Sequence, residues 1–533
     1  MNRRADASRV KEALPVVPLH ERLWEEMAEN PSADRELRRL IDESSLPPSY
    51  WTHPVVLKHG FRVPVHPVAL FMDGVPTHRR DGVLCVTVHS LVTNVRHLVA
   101  CLRKQDICKC GCRGWCSIFA LHQWLLWCFS ALAEGRWPDR RHDGTPFLED
   151  SDVVRRALAG TDVGSAFALI FLKGDLMEYC TSWGLPSVGT YLYACPFCDW
   201  PGDDPLDDGD GLSALGAGWH TRTFDDYLEA CSRCEITVHV TGVNDLVLIR
   251  GSLRYDRRAR GPRGRALRRA LPALGLKRGD RLEPTLEHPD VDWVDTAEVP
   301  CTLLFWRRSE ETIARRRCPL FNKNLGIVPQ RCFGLDWLHL LSLGVFKFFV
   351  ARFMQALFSI DAWGAPQTTH EGRVEHSVNI LRAELFAFYA DSRRHGREYS
   401  MVQNLTSSMF GSTERPELSL HGSETNGYLM FCDRFLMPRY GGRLPQAEVW
   451  QRGISSLVRM YELVSSHRRV MEPAAVQSFV DTTLVHIRVC KALEFTGIPK
   501  HHFLMEMAAG LGILSLASVP PCSKRVGPWG LGA

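Results

Sequence analysis

The chain has 533 residues, 45% of them apolar and 23% charged, enough to bury a sizeable core in about two to four domains. That composition excludes a chain disordered throughout, and the 41 Gly and 31 Pro follow no period, which excludes a collagen-like or low-complexity protein. With 64 Lys and Arg against 60 Asp and Glu the net charge is only +4, so any polyanion-binding surface must come from local clustering.

Residues 1–50 are polar with Leu19, Leu23 and Met27 at helical spacing, which predicts a helical start. Met1 to Glu12 holds no apolar run of the kind a secretory leader needs. Val55 to Val92 mixes short alternations; Val83, Cys85, Thr87 and His89 fall on one face, which predicts strands. A cysteine-dense stretch follows, Cys101 to Cys116, and then an apolar helix over 118–133. Phe167 to Leu172 is a continuous apolar run closed by Lys173-Gly174-Asp175, the pattern of a strand buried on both faces.

Residues 201–220 read as a Gly- and Asp-rich loop, and 235–240 and 245–250 as two further strands. From Leu335 the pattern turns helical. One stripe is Val374, Val378, Leu381, Leu385 and Phe388. A second is Ile454, Leu457, Val458, Tyr461 and Val464, and a third is Val476, Phe479, Val480, Leu484 and Ile487. The best candidate for a membrane span, Leu338 to Leu357, is broken by His339, Lys347 and Arg352 and reads as a buried helix. From Gly510 to Ala533 no period remains, which predicts a loose tail. The domain organisation expected is an N-terminal region over 1–150, a core over 151–360 with an inserted module at about 190–295, a helical region over 361–509 and the tail over 510–533.

Eleven of the 18 cysteines lie between Cys101 and Cys234. Many are too close in sequence for unstrained disulfides, so clustered thiols in a reducing, intracellular compartment point to metal. Cys108, Cys110, Cys112 and Cys116 put four thiols in nine residues with Gly111 and Gly114 between them, a set suited to tetrahedral zinc, with Cys101 or His122 as substitute ligands. Cys195-x2-Cys198 and Cys231-x2-Cys234 form two knuckles that can share a second zinc ion. Four thiolates leave no open position, so both sites are expected to be structural. No Gly-x4-Gly-Lys-Ser/Thr loop is present, so no nucleotide cofactor is expected.

Asp175 closes the buried strand and Asp336 opens Asp336-Trp337-Leu338-His339 before a long apolar helix. Two such carboxylates, 161 positions apart, can converge on a pair of Mg2+ ions. Asp336 is equally an obvious helix cap. The stretch 254–281 is basic, with Arg257, Arg258, Arg260, Arg263, Arg265, Arg268 and Arg269 as candidate phosphate contacts. Arg307, Arg308 and Arg315 to Arg317 form a second basic cluster before Asp336.

Together, Phe171-Leu172-Lys173-Gly174-Asp175, the Cys195/Cys198 knuckle, Asp336-x2-His339 with Leu340, Leu341 and Gly344, and Lys500-His501-His502 resemble eukaryotic cut-and-paste DNA transposases of the CACTA/Plavaka type, over residues 95–507. The resemblance implies an RNase H-like α/β core: a mixed sheet interrupted by an inserted zinc/β module, between a helical N-terminal region and a mostly helical C-terminal one. It implies that Asp175, the first catalytic acid, lies on the first strand of a five-stranded mixed sheet, that Asp336, the second, comes just after the fourth strand, and that His339 stands one turn on. The third acid would be a Glu on a later helix, with Glu424, Glu494 and Glu506 as candidates and Glu424 preferred. The implied activity is Mg2+- or Mn2+-dependent cleavage and transfer of DNA strands at mobile-element ends, in the nucleus, with no membrane partner and with oligomers allowed. A core from which the third acid was lost with a truncated C-terminus would bind DNA and cut poorly. The alternative is an inactive, zinc-stapled nucleic-acid-binding or scaffold protein derived from such an enzyme.

Overall fold

The computed structural model describes residues 13–60, 62–78, 81–108, 114–174, 178–179, 182–185, 195–200, 205–206, 221–240, 246–248, 294–296, 299–307, 317–367, 369–467 and 471–516. Only the backbone is described at 76, 78, 229–240, 246–248, 294–307 and 509–516. The chain is mixed α/β and divides into two compact units, Met1–Phe197 with Arg222–Gly334, and Cys198–Thr221 with Leu335–Ala533.

The first unit starts with helices α1 (Leu19–Glu29), α2 (Ala33–Asp42), α3 (Pro48–Trp51) and α4 (Pro54–His59). Helix α4 starts on a proline, which needs no N–H there. His53 caps it by accepting the Val55 N–H (3.3 Å), and Gly60 ends it at φ 56°. Strands β1 (Val65–His78), β2 (Asp81–Ser90) and β3 (Arg96–Arg103) follow as an antiparallel meander. Helix α5 (Trp115–Glu134) then runs between two left-handed glycines, Gly114 and Gly135. The short α6 (Val153–Leu158) leads to β4 (Ala166–Gly174), which lies parallel beside β1.

β4 is buried on both faces, as its apolar run predicts. Phe167, Leu169 and Leu172 join the core that holds α1 and α5. Ala166, Ala168 and Ile170 join a second core with Tyr50, Val55 and Val56. Each of the Phe, Leu and Ile side chains contributes on the order of 1.5–3 kcal/mol by leaving water, and each Ala less. On β2 the alternation is the expected one, but Leu84, Val86 and Val88 face the core, while the face of Val83, Cys85, Thr87 and His89 is only half-buried.

After α7 (Phe224–Ser232) the chain forms β5 (Arg233–Val240), β6 (Leu246–Leu248), β7 (Val294–Thr296) and β8 (Val299–Arg307), a four-stranded antiparallel sheet in the order β6-β5-β8-β7. Helix α8 (Pro329–Cys332) precedes β9 (Phe333–Leu335), which completes a five-stranded mixed sheet in the order β3-β2-β1-β4-β9. Three of those strands come from before residue 150. The boundary expected there therefore falls inside one sheet, because a parallel partner for β4 has to be brought back from upstream.

The second unit is helical. A π-helical stretch, Leu338–Val345, runs into α9 (Phe346–Ser359). It is followed by α10 (His370–Arg394), α11 (Gly422–Phe431), α12 (Ala447–Ser466), α13 (Pro473–Ala492) and α14 (Pro499–Leu516). The three predicted stripes become the buried faces of α10, α12 and α13. Gly453 on α12 is there for packing: a Cβ at that position would lie 2.1 Å from the Phe349 ring of α9. Helix α14 continues through Gly510 and Gly512 to Leu516, where a loose tail was expected. Two helical stretches, Trp115–Glu134 and Leu338–Ser359, are long and apolar enough to cross a membrane, and most of each apolar window is buried within the protein.

Candidate metal centres and acidic residues

The chain passes from the first unit to the second between Phe197 and Cys198, inside the predicted Cys-x2-Cys knuckle. Both thiols are buried. The Phe197 N–H donates to Cys195 Sγ (3.4 Å), and two residues further each way the Trp200 N–H donates to Cys198 Sγ (3.5 Å). Backbone donors aimed at sulfur stabilise thiolate and orient it, which is what an outer shell does for a metal-bound cysteine.

Within the second unit the partners of Cys198 come from α14. His502 Nε2 lies 3.3 Å from Cys198 Sγ, and Glu506 Oε1 lies 3.6 Å from the same ring nitrogen. His502 and Glu506 are one helical turn apart and so share a face. Trp200 stacks on His502 with ring centroids 4.0 Å apart, shielding the imidazole from water. Burial holds the His502 pKa down to about 3, so the ring is neutral and keeps a lone pair. Burial raises the Glu506 carboxyl, against the hydrogen bond from Cys198. Glu506 Oε1 and His502 Nδ1 are buried without a hydrogen-bond partner. A thiol, an imidazole and a carboxylate meeting with such a shortfall suit a borderline cation such as Zn2+.

A second cluster lies between α13 and α14. His486, Cys490 and His501 are all buried, and their ligand atoms lie within 4.8 Å of one another. Neighbouring residues on a helix point about 100° apart, so His501 and His502 serve different clusters. Lys500 beside them reaches back to the Leu343 carbonyl (3.1 Å) in the π-helical stretch, its stem lying against Gly344. The Lys-His-His sequence thus does three separate jobs.

The expected acids are distributed differently from the sequence reading. Asp175 lies outside the described residues. The strand before it, β4, is the fourth of the five-stranded sheet in chain order, not the first. The first strand carries Asp73, which the sequence reading missed. Its signal was an acid directly after the apolar run Val68 to Met72, where Asp175 follows its own run only after Lys173-Gly174. Asp73 stands opposite Cys85 on β2, and the Glu178 carboxylate lies 3.7 Å from where a Cβ of Gly74 would be.

Asp336 follows β9 by one residue. Its carboxylate accepts the Leu338 N–H (3.1 Å) and pairs with His339 Nδ1. Burial alone would raise its pKa; the His339 bond and the Leu338 N–H outweigh it and hold it below the usual range. Glu424 is used differently from the expectation of a third acid: it accepts the His421 N–H (2.8 Å) as a capping box of α11. Glu506, another candidate, belongs to the Cys198 cluster, and Glu494 ends the turn after α13 at φ 54°.

Of the first cysteine set, Cys108 and Cys116 are described; Cys110 and Cys112 lie outside the described residues. The Cys108 N–H is held by Ser117 Oγ (3.1 Å), and Cys116 sits exposed in the first turn of α5. His122 is fully buried, and its Nδ1 pairs with Cys318 Sγ (3.0 Å) while its ring stacks on Trp183. Cys101 lies on β3 directly opposite Cys85. Cys231 closes α7 and Cys234 is the second residue of β5, and their side chains are outside the described set, so the shared four-cysteine site is not among the described groups. Arg257 to Arg269 also lie outside it. No family model matches this chain, and no curated protein or solved structure is significantly similar to it.

Proposed function

We propose that the chain is a transposase-like DNA-binding protein with an RNase H-like core, acting on DNA phosphodiesters with Mg2+ or Mn2+. One observation carries it: the strand order β3-β2-β1-β4-β9, with an antiparallel meander and β4 parallel to β1. In a parallel pair both strands end at the same sheet edge, and ligands of such sheets gather at those carboxyl ends. Asp73 lies two residues past the last β1–β4 pair, Phe71 with Lys173, and on this reading Asp175, the residue after β4 in sequence, is its partner acid. Asp336, one residue past β9, is the third acid on this reading, and Glu424 is released from that role by its cap.

The chemistry needs no covalent intermediate. The carboxylates of Asp73, Asp175 and Asp336 would hold the divalent ions and balance their charge, and the ions would supply an activated water and charge stabilisation for the leaving 3′-oxygen. A Zn2+ ion taken by Cys198, His502 and Glu506 would be structural, since that cluster is buried beneath Trp200 and offers no open path to substrate. DNA contact is assigned to the arginines of 257–269, in a nuclear setting.

The test is nicking of supercoiled plasmid by the purified full chain with Mn2+. Asp73→Asn and Asp175→Asn are each expected to abolish nicking while leaving DNA affinity unchanged in gel-shift titration. Undiminished nicking by both variants would sink the assignment. A second reading, a zinc-stapled DNA binder or scaffold that does not cut, is favoured by the local use of Asp336 in holding Leu338 and His339. It predicts DNA binding without metal-dependent nicking by the wild type.

A further inference from the structure

We infer that His486, Cys490 and His501 form a three-coordinate site for a soft monovalent metal ion, Cu+, inside the helical unit. His486 and Cys490 are one turn apart on α13, and His501 comes from the first turn of α14. Cys490 Sγ lies 3.5 Å from His486 Nε2 and 3.9 Å from His501 Nε2. An ion at ordinary metal–sulfur and metal–nitrogen distances in a trigonal plane holds its ligand atoms about 3.5–3.8 Å apart. The two sulfur–nitrogen sides therefore match an ion to within a few tenths of an ångström, and all three ligand atoms lie within 4.8 Å of one another.

Both imidazoles are aimed by their other nitrogen. His486 Nδ1 pairs with Ser456 Oγ (3.2 Å), which itself donates to the Gly453 carbonyl (2.7 Å). His501 Nδ1 accepts the Ile498 N–H (3.1 Å) in one tautomer; in the other, which leaves Nε2 free for a metal, it donates to the Ile498 carbonyl (3.3 Å). Each ring thus presents Nε2 to the one thiol, and metal-binding histidines are held in this way by a partner on the second nitrogen. Ser456 is committed to that support, and no fourth His, Cys, Asp or Glu joins the cluster among the described residues.

Charge selects the ion. The rings of Phe348 and Phe349 pack against His501 and His486. Arg352 lies over Phe348, 3.5 Å from its centroid, and is the nearby cation that acts on both Cys490 and His501. Zn2+ with one thiolate and two neutral imidazoles would leave a net positive charge buried beside this guanidinium. Cu+ leaves the site neutral, and it accepts three-coordinate sulfur and nitrogen donors. Binding releases the Cys490 thiol proton to solvent as the Cu–S bond forms, with no change of oxidation state.

The test titrates the full chain with Cu+ under anaerobic reducing conditions against a chromophoric Cu+ chelator. Cys490→Ser, His486→Gln and His501→Gln are each expected to lose one and the same tight equivalent, while Cys198→Ser keeps it; circular dichroism checks that each variant folds. Cysteine-only sites elsewhere in the chain do not respond to the two histidine changes. A full complement of Cu+ in the folded histidine variants would overturn the site. Crystals of the Cu+-loaded wild type should show an anomalous peak among Cys490 Sγ and the two Nε2 atoms, a measurement that needs no variant. An empty cluster in loaded crystals overturns the site, and a peak there that scatters as zinc overturns the choice of ion.

Discussion

The two units bury histidine in opposite ways. In the sheet-containing unit His20, His53 and His122 are dispersed, each set in its own apolar or aromatic surround. In the helical unit His486, His501 and His502 are gathered with cysteines and a glutamate on two helices. The difference follows from geometry. His20 on α1, His53 at the start of α4 and His122 on α5 have no Cys, His, Asp or Glu one helical turn away, so each is buried without a donor on its own element. A helix repeats a face every turn, so His486 with Cys490 and His502 with Glu506 arrive as ready pairs. In the sheet unit a buried histidine finds a single partner from another element, as His122 finds Cys318 and His66 finds Asp34, whereas in the helical unit the donors arrive preassembled.

Breaking the metal side of that comparison should have the largest effect. With Zn2+ at the Cys198 cluster, as proposed, its removal by a chelator, or Cys198→Ser, is expected to destabilise the helical unit by several kcal/mol, on the order of 3–5, because a buried carboxylate and imidazole lose their partner. Limited proteolysis should then cut first within α14. An α14 equally protected with and without chelator would remove the zinc assignment.

Packing gives the next effect. Gly453→Ala should cost about 1–3 kcal/mol, since the Phe349 ring must move to admit a Cβ. Urea unfolding measures it, and an unchanged midpoint would mean that α12 shifts freely over α9.

The dispersed histidines of the sheet unit sharpen the comparison through pH. Burial lowers His20 and His122 to about 3 and His53 to about 4, from an ordinary value of 6.5. Each therefore contributes stability that is fully present above pH 6.5 and is lost as pH falls toward its folded value. Between about pH 6 and 4 each buried ring should cost about 1.4 kcal/mol per pH unit. Unfolding midpoints of the wild type and His122→Phe across that range should show the variant's slope reduced by one proton. Parallel slopes would mean that His122 already protonates in the folded chain.

The smallest effect is expected at a helix start. Thr369 caps α10 by accepting the Gly372 N–H (3.2 Å), and Thr369→Ala should cost about 1 kcal/mol. A larger loss in thermal denaturation would mean that α10 depends on more than its cap.

Local pattern in the sequence was enough to mark the buried strand β4 and the stripes of α10, α12 and α13. Periodicity is a property of neighbours in the chain, and burial follows from it. The Cys195/Cys198 knuckle and Lys500-His501-His502 were also visible, but as separate motifs. Only the folded chain put Cys198 against His502, because those residues are 304 positions apart and no local rule ties them. Long-range pairing likewise made β4 the fourth strand rather than the first and brought Asp73 into consideration. It placed Glu424 in a cap and Glu506 beside a thiol, where the sequence offered both as candidates for the third acid, with Glu424 preferred. Spacing along a chain fixes which side chains share a face of one element; which elements meet is decided by how their apolar faces pack, and that selection made the donor clusters.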